Sequence, residues 1–155
     1  MDPLAPLQRL IDESSDPDNP TARAVADLFG SVRRIAVIGL SRDPAKAARR
    51  VPSYLSAKGY DVVPVNPNAD RLLGQPARAT LDEVTQPVDL VVIFRPSAEA
   101  GRHVEAAAGR KERPAIWLQE GITAPAEVAA ARAQGRFVVQ DLCSYRAHRA
   151  LPVAP

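Results

Sequence analysis

Residues 34–46 read Arg34-Ile-Ala-Val-Ile-Gly-Leu-Ser-Arg-Asp-Pro-Ala-Lys46, and this stretch indicates how the chain folds. Its first half is a short apolar run of the kind found in a strand that is covered on both faces, as in a parallel sheet. Gly39 then permits a tight turn, and Pro44 stands near the start of a segment with helical spacing. The stretch therefore predicts a strand, a turn and a helix in that order.

The same alternation of strand and helix repeats along the rest of the chain. The β-type runs are Arg34–Ile38, Tyr60–Val65, Val88–Phe94, Ala115–Leu118 and Arg136–Val139. Helical spacing marks the segments Ala45–Lys58, Ser97–Arg110 and Pro125–Gln134. Because right-handed crossovers place helices on both faces of a parallel sheet, we expect a single α/β domain. Its architecture is predicted to be a doubly wound parallel sheet in a Rossmann-like three-layer sandwich.

The N-terminal segment precedes this alternation. Asn19-Pro-Thr21 reads as a cap for a helix that runs through Gly30, whereas the Pro- and Asp-rich segment Met1–Asp18 is expected to be partly frayed. We therefore divide the chain into an N-terminal extension with a helix, residues 1–31, and a Rossmann-like domain, residues 32–155.

Two further segments lack a clear strand or long helix. The connection Asn66–Gln86 is predicted to be a long loop with a short helical piece around Leu81–Val84. The segment Leu142–Pro155 is predicted to be a short helical or irregular tail that packs over the edge of the sheet. Neither segment is expected to change the order of the main strands.

Length and composition exclude several classes of protein. A chain of 155 residues with 46% hydrophobic residues can bury a core without disulfides or metals, and its single cysteine, Cys143, cannot form an internal disulfide. Apolar runs are far shorter than the about 20 residues of a membrane span, and no secretory signal is visible, so we expect a cytoplasmic protein without membrane contact. The net charge is only +2, and aromatic residues make up 5% of the chain, which disfavours nucleic-acid binding.

Polar residues follow every predicted strand, where ligands bind in open parallel sheets. In the first turn, Gly39 allows a ligand to approach, Ser41 offers a hydroxyl, and Lys46 adds a positive charge near the amino end of the helix. The alternative is that Gly39 only makes a tight turn and Lys46 is solvated. Polar groups at the other strand ends favour a ligand site: Asn66-Pro67, Arg95-Pro-Ser97, Gln119-Glu-Gly121 and Asp141-Leu-Cys143.

Two common nucleotide-binding motifs do not fit the first turn. The dinucleotide fingerprint G-x-G-x-x-G needs three glycines, but this chain has Gly39, Ser41 and Pro44 at those positions. The fingerprint also needs an acidic residue after the second strand, which here ends at Asn66. A P-loop needs a second glycine followed by Lys and Ser or Thr, whereas residues 44–47 read Pro-Ala-Lys-Ala. NAD binding and ATP hydrolysis are therefore disfavoured.

A set of motifs occurs in order between Arg33 and His148. They are Ile35-Ala-Val-Ile-Gly-Leu-Ser-Arg-Asp-Pro-Ala-Lys46, Val51-Pro-Ser-Tyr-Leu55, Gly59-Tyr60, Val63-Pro-Val-Asn-Pro67, Val88-Asp-Leu-Val-Val-Ile-Phe-Arg-Pro96, Ile116-Trp-Leu-Gln-Glu-Gly-Ile122, and Gly135–Val139 with Asp141 and Cys143. Together they resemble the CoA-binding domain family, the small stand-alone bacterial relatives of the N-terminal domain of the succinyl-CoA synthetase alpha subunit. One departure is Ala147, because the family commonly has a Glu before the histidine of the tail.

The resemblance implies a Rossmann-like CoA-binding domain whose ligand is coenzyme A. It implies that Gly39, Ser41 and Lys46 lie near the phosphates, with Leu40 and Arg42 in the same turn. The resemblance also implies that Val65, Asn66 and Pro67 lie beside the adenosine of the ligand. It implies that Phe94, Arg95 and Pro96 line the crevice, and that Gln119 and Gly121 lie near the path of the pantetheine arm. Each of these assignments is an expectation.

The leading hypothesis is a protein that binds coenzyme A or an acyl-CoA without evident catalytic machinery of its own, and the question of enzymatic activity stays open. The rival is a small enzyme acting on an acyl-CoA or a nucleotide-sugar-type substrate through Cys143 or Asp141. A third interpretation is an NAD(P)-binding redox protein, which the first turn disfavours. His103 and His148 are expected to be structural or solvated. The oligomeric state and the choice between free CoA and acyl-CoA stay open.

Overall fold

The structure is a computed structural model that describes residues 1–152, with a parallel sheet at its centre. The strands are β1 (Arg34–Ile38), β2 (Asp61–Val65), β3 (Arg71–Leu72), β4 (Gln75–Pro76), β5 (Leu90–Ile93), β6 (Ala115–Leu118) and β7 (Val138–Val139). Five of them form the sheet in the order β2-β1-β5-β6-β7, so the order reverses between β1 and β5. This confirms the predicted doubly wound parallel sheet.

Helices cover both faces of the sheet. They are α1 (Ala5–Glu13), α2 (Ala22–Ser31), α3 (Ala47–Ala57), α4 (Ser97–Ala108), α5 (Pro125–Ala133) and α6 (Ser144–Arg149). Successive residues of β1 point to opposite faces: Val37 packs in one core with α1, α2, α3 and α6, and Ile38 packs in the other with α4 and α5. The predicted three-layer sandwich is therefore confirmed. Within residues 1–152, no helix is long and apolar enough to cross a membrane.

The connection between β2 and β5 is mostly loop, as predicted, with a single 3-10 turn at Leu81–Glu83. The antiparallel hairpin of β3 and β4 was not predicted, because each of its strands has only two residues. The segment after the hairpin lies along the outer edge of β2, where the Asn66 amide donates to the Arg78 carbonyl at 2.8 Å and the Arg78 amide donates to the Pro64 carbonyl at 3.0 Å. These bonds protect an edge strand that would otherwise expose unpaired backbone groups.

The expectation that Met1–Asp18 is partly frayed is wrong. This segment forms α1, whose Leu7 and Ile11 are buried in the same core as one face of the sheet. Their helical spacing forms an apolar stripe that the surrounding Pro and Asp residues obscure in the sequence. The chain after α1 is also fixed, because the Asp16 carboxylate lies 2.9 Å from the Arg132 guanidinium of α5. The domain boundary after residue 31 stays a prediction.

The C-terminal tail lies in a helical layer, so the expectation that it packs over the sheet edge is wrong. The helix α6 contacts α3 and α1. The His148 ring stands edge-on to Phe29 with a centroid distance of 5.1 Å, and its Nδ1 lies 2.7 Å from the Tyr54 hydroxyl. Through these aromatic contacts, α6 packs over the face of the sheet. Residues 153–155 of the predicted tail lie outside the described residues.

Replacing Leu7 with Ala tests the role of α1 in the core. Leu7 has no exposed surface, so the Leu7→Ala variant should lower the free energy of unfolding by about 2–5 kcal/mol. Denaturant unfolding measures this change. Arg9→Ala on the exposed side of α1 is the control and should change stability by less than about 0.5 kcal/mol. Equal effects of the two substitutions would contradict the packing of α1.

Candidate functional site

A large cleft lies at the carboxyl ends of β2, β1 and β5, where the strand order reverses. Its volume is about 770 Å³, within the usual range of about 300–1,000 Å³ for small-molecule sites. Nine of the residues predicted to bind a ligand line it: Gly39, Ser41, Lys46, Val65, Asn66, Pro67, Phe94, Arg95 and Pro96. The fold therefore brings the ends of three separate strands to one cavity.

Four other predicted residues do not line this cleft. Leu40 has no exposed surface, and Arg42 lies in an adjoining shallow depression, where its guanidinium donates to the Asn68 carbonyl. Gln119 is buried, and its side-chain oxygen accepts a hydrogen bond from the Ser144 amide at 2.9 Å. Gly121 lies at the end of β6. The roles predicted for these residues in ligand binding stay predictions.

Gly39 directly follows β1, lines the cleft and lies against the end of β5. Its φ is +87°, and a Cβ at this position would lie 2.8 Å from the Phe94 carbonyl oxygen and 3.0 Å from Cδ of Arg95. A side chain is thus excluded both by the backbone conformation and by the neighbouring strand end. The protein's own contacts account for the glycine, which favours the tight-turn alternative for this residue.

The turn after Gly39 leads directly into the amino end of α3. The Ser41 hydroxyl oxygen accepts from the Asp43 amide at 3.0 Å, and the Asp43 carboxylate accepts from the Ala45 amide at 2.9 Å. Lys46 occupies the N-cap position of α3, and no side chain caps this helix end within the described residues. The uncapped end of α3 leaves amide N–H groups and a partial positive charge beside Lys46, a combination that favours an anion.

One wall of the cleft is formed by α4 and was not predicted. Arg102, His103 and Ala106 line it, facing a segment that includes Thr80 and Asp82. The sequence feature that could have identified this wall is the helical spacing of the buried residues in α4. Its buried positions Ala100, Val104 and Ala107 mark the side that packs on the sheet, and the cleft residues lie beside that stripe.

His103 is half-buried in this wall, and its Nε2 is buried without a hydrogen-bond partner among the described residues. Burial lowers the pKa of His103, the positive charges of Arg102 and Arg95 lower it further, and Glu99 opposes them. The imidazole is therefore neutral at pH 7, with one ring nitrogen as donor and one as acceptor. The expectation that this residue is only structural or solvated missed its place in the cleft.

The other chemically reactive candidates lie outside the cleft. Cys143 is half-buried and packs against the core on the opposite face of the sheet. The Asp141 carboxylate accepts from the Ser15 hydroxyl at 2.6 Å and from the Gly121 amide at 2.6 Å, so it ties together two surface turns. His148 belongs to the aromatic cluster around α6. Within residues 1–152, no group of three His, Cys, Asp or Glu side chains is arranged to hold a metal ion.

The lowered pKa of His103 predicts a pH-dependent contribution to stability. The native protein binds fewer protons at His103 than the unfolded chain, so this site loses stability as the pH falls below the ordinary value of about 6.5. The free energy of unfolding of the wild type, minus that of His103→Leu, should therefore be smaller at pH near 5.5 than near 7.5. Urea unfolding at both pH values measures it, and a constant difference would contradict the prediction. His148 is present in both proteins, so its titration cancels.

Solved structures share this fold. The chain is similar to a protein described as cell-free ID.343 from Thermus thermophilus, with 35% identity, a TM-score of 0.77, and coverage of 82% of this chain and 96% of that one. It is also similar to a hypothetical protein from Pyrococcus horikoshii OT3, with 26% identity, a TM-score of 0.82, and coverage of 90% and 97%. These similarities extend over nearly the full length of both relatives.

The sequence itself matches a known family over most of its length. The chain is 32% identical to the uncharacterized protein YneT of Bacillus subtilis (strain 168) over 130 residues, which are 84% of this chain and 96% of YneT. A family model described as a CoA binding domain matches residues 33–149, the range that contains the sheet, the first turn and the walls of the cleft. The chain therefore belongs to the CoA-binding domain family, as its motifs predicted.

Proposed function

We propose that this protein binds coenzyme A, free or as an acyl thioester, in the cleft at the carboxyl end of the sheet and releases it unchanged. One observation carries the proposal: Lys46, Arg95 and Arg102 line a cleft onto which the amino ends of α3 and α4 also open. Membership of the CoA-binding domain family supports a CoA-related role.

The charges of the cleft suit a ligand with several phosphates. Three basic side chains line it, against one carboxylate, that of Asp82. Hydrogen bonds from such cations to phosphate are roughly twice as strong as those between neutral groups, and helix amino ends add a favourable field. The pyrophosphate of CoA would lie near Ser41 and Lys46, where the end of α3 is uncapped.

The remaining walls suit the two organic ends of CoA. We propose that the adenosine lies beside Val65, Asn66 and Pro67, which end the edge strand of the sheet. The Asn66 side chain donates to the Leu40 carbonyl at 2.9 Å and accepts from the Asn68 amide at 2.7 Å. It therefore holds the loop in shape, and unlike the acidic residue of a dinucleotide site it offers no carboxylate to a ribose.

The pantetheine arm is proposed to cross the carboxyl ends of β5 and β6. It would leave the cleft beside Pro96 and pass Gly121, whose carbonyl lies 3.4 Å from the Ser97 hydroxyl. Phe94 would lie under this path. Gln119 would act indirectly, since its side-chain oxygen is bonded to the Ser144 amide. A nearly neutral arm needs such backbone and amide groups more than it needs charge.

The rival hypothesis of a small enzyme receives no support from the two residues on which it depends. Cys143 packs against the core, and the Asp141 carboxylate is bonded to Ser15 and Gly121. Neither residue lines the cleft. A nucleophile or a general base must lie within hydrogen-bond reach of the group on which it acts, and these two lie outside the proposed ligand site.

Residues 32–155 are proposed as the CoA-binding unit, with residues 1–31 as an extension that packs on it. A cytoplasmic location fits a chain whose single cysteine has no disulfide partner within it. A small molecule is proposed as the ligand, without nucleic acid or membrane as partners.

Thermal stabilisation by different nucleotides ranks the candidate ligands. CoA should raise the melting temperature more than NAD, NADP or ATP at the same concentration, because the cleft combines a single-glycine turn with Lys46 and polar strand ends. A ligand at 100 times its Kd stabilises a protein by about 2.7 kcal/mol, which a thermal melt detects readily. Recovery of CoA by mass spectrometry after incubation tests whether it is left unchanged. An equal or larger shift with NAD would contradict the proposal.

A pair of lysine variants tests the location of the phosphates. Lys46→Ala should weaken CoA binding by about 1–3 kcal/mol, the size of a hydrogen bond to a charged group, without changing the fold. Lys111→Ala removes the same charge from the loop before β6, at the opposite end of the sheet, and should leave affinity unchanged. Isothermal titration calorimetry measures both. Wild-type affinity for Lys46→Ala would show that the phosphates bind elsewhere.

A further inference from the structure

The Arg95 side chain lies across the first turn and is held there by Glu99. Nε and Nη2 of Arg95 both contact Oε2 of Glu99, at 2.9 and 2.6 Å. The Cδ of Arg95 is 3.0 Å from the position that a Cβ of Gly39 would take. The stem of Arg95 thus covers Gly39, and its guanidinium is engaged by an internal carboxylate.

The contact with Glu99 uses the part of Arg95 that a phosphate would use. A guanidinium binds carboxylate and phosphate oxygens in the same way, through neighbouring N–H groups that point in one direction. Glu99 therefore competes directly with any phosphate that approaches Arg95. Since Arg95 itself lines the cleft, this competition takes place inside the proposed ligand site.

The pair is weak enough for a ligand to replace it. The side chains of Arg95 and Glu99 are 43% and 37% exposed, and the two residues are four positions apart, with Arg95 just before α4 and Glu99 in its first turn. Exposed pairs of this kind change an equilibrium by up to about fivefold. A phosphate that also contacts Lys46 and the end of α3 has more partners than the Glu99 carboxylate has.

We propose that Glu99 is a competing carboxylate that occupies Arg95 in the free protein and is exchanged for a phosphate group of the ligand, so that Glu99 lowers the affinity of the cleft for that phosphate. The exchange moves the guanidinium away from Glu99 and uncovers the backbone around Gly39. This inference rests on the proposed function, because it assumes that the ligand's phosphates bind in this cleft.

Removing the competing charge should strengthen binding. Isothermal titration calorimetry with CoA should give a Kd for Glu99→Gln that is about two- to fivefold lower than that of the wild type. Glu105→Gln is the matched control, since it removes the same charge from an exposed position of α4 that lies outside the cleft. Its Kd should equal that of the wild type.

A double-mutant cycle separates competition at Arg95 from a general effect of charge. In the Arg95→Gln background, Glu99→Gln should no longer change the Kd, because the guanidinium for which Glu99 and the phosphate compete is absent. Both residues are partly exposed, so the variants should melt close to the wild type, and a thermal melt checks that they fold.

The outcomes distinguish this inference from the proposed function. If the wild type does not bind CoA, the proposed function fails and the inference fails with it. If the wild type binds CoA and Glu99→Gln binds with equal or lower affinity, Glu99 does not compete and only the inference is overturned. A gain in affinity that persists in the Arg95→Gln background, or that Glu105→Gln reproduces, also overturns it.

Discussion

The close approach of two strand ends, at Gly39 after β1 and Phe94 after β5, determines the geometry of the site. The Gly39 amide donates to the Val65 carbonyl of β2 at 2.8 Å, and the Phe94 amide donates to the Ile38 carbonyl of β1 at 2.9 Å. From this point the chain departs to opposite faces, with α3 on one and α4 on the other. Because neither helix crosses above the strand ends, the space between their amino ends stays open.

The electrostatics of the cleft follow from this divergence of the two helices. Each helix directs its amino end toward the same opening, and each brings a cation with it, Lys46 at the start of α3 and Arg95 just before α4. Of these two cations, Arg95 is the one that pairs with a carboxylate within residues 1–152, in the exposed pair with Glu99. The fold thus gathers positive charge at one place, and the partners within the chain neutralise only part of it.

Buried and repetitive features could be predicted from the sequence, and features set by three-dimensional packing could not. The run Ile35–Ile38 indicates a buried strand because every residue in it is apolar, and the ends of parallel strands necessarily meet at one edge of the sheet. The residues of α4 that line the cleft depend on how the helix is rotated against the sheet. Arg102 and His103 were therefore missed. Gln119 was expected near a ligand. Its side-chain oxygen accepts from the backbone amide of Ser144, the first residue of α6, and the sequence gives no sign of this contact.

The location of the cleft also depends on a helix that is missing from the β2–β5 crossover. The connections from β1 to β2, from β5 to β6 and from β6 to β7 each supply an α-helix, whereas the connection from β2 to β5 supplies a hairpin and the 3-10 turn Leu81–Glu83. A 3-10 turn covers far less of a sheet face than a full helix, so Ile38 and Val65 border open space between this turn and α4. On the opposite face, four helices and the aromatic cluster around His148 cover the sheet. The cleft therefore lies on the face where a 3-10 turn takes the place of a helix, beside the strand ends that carry the charges.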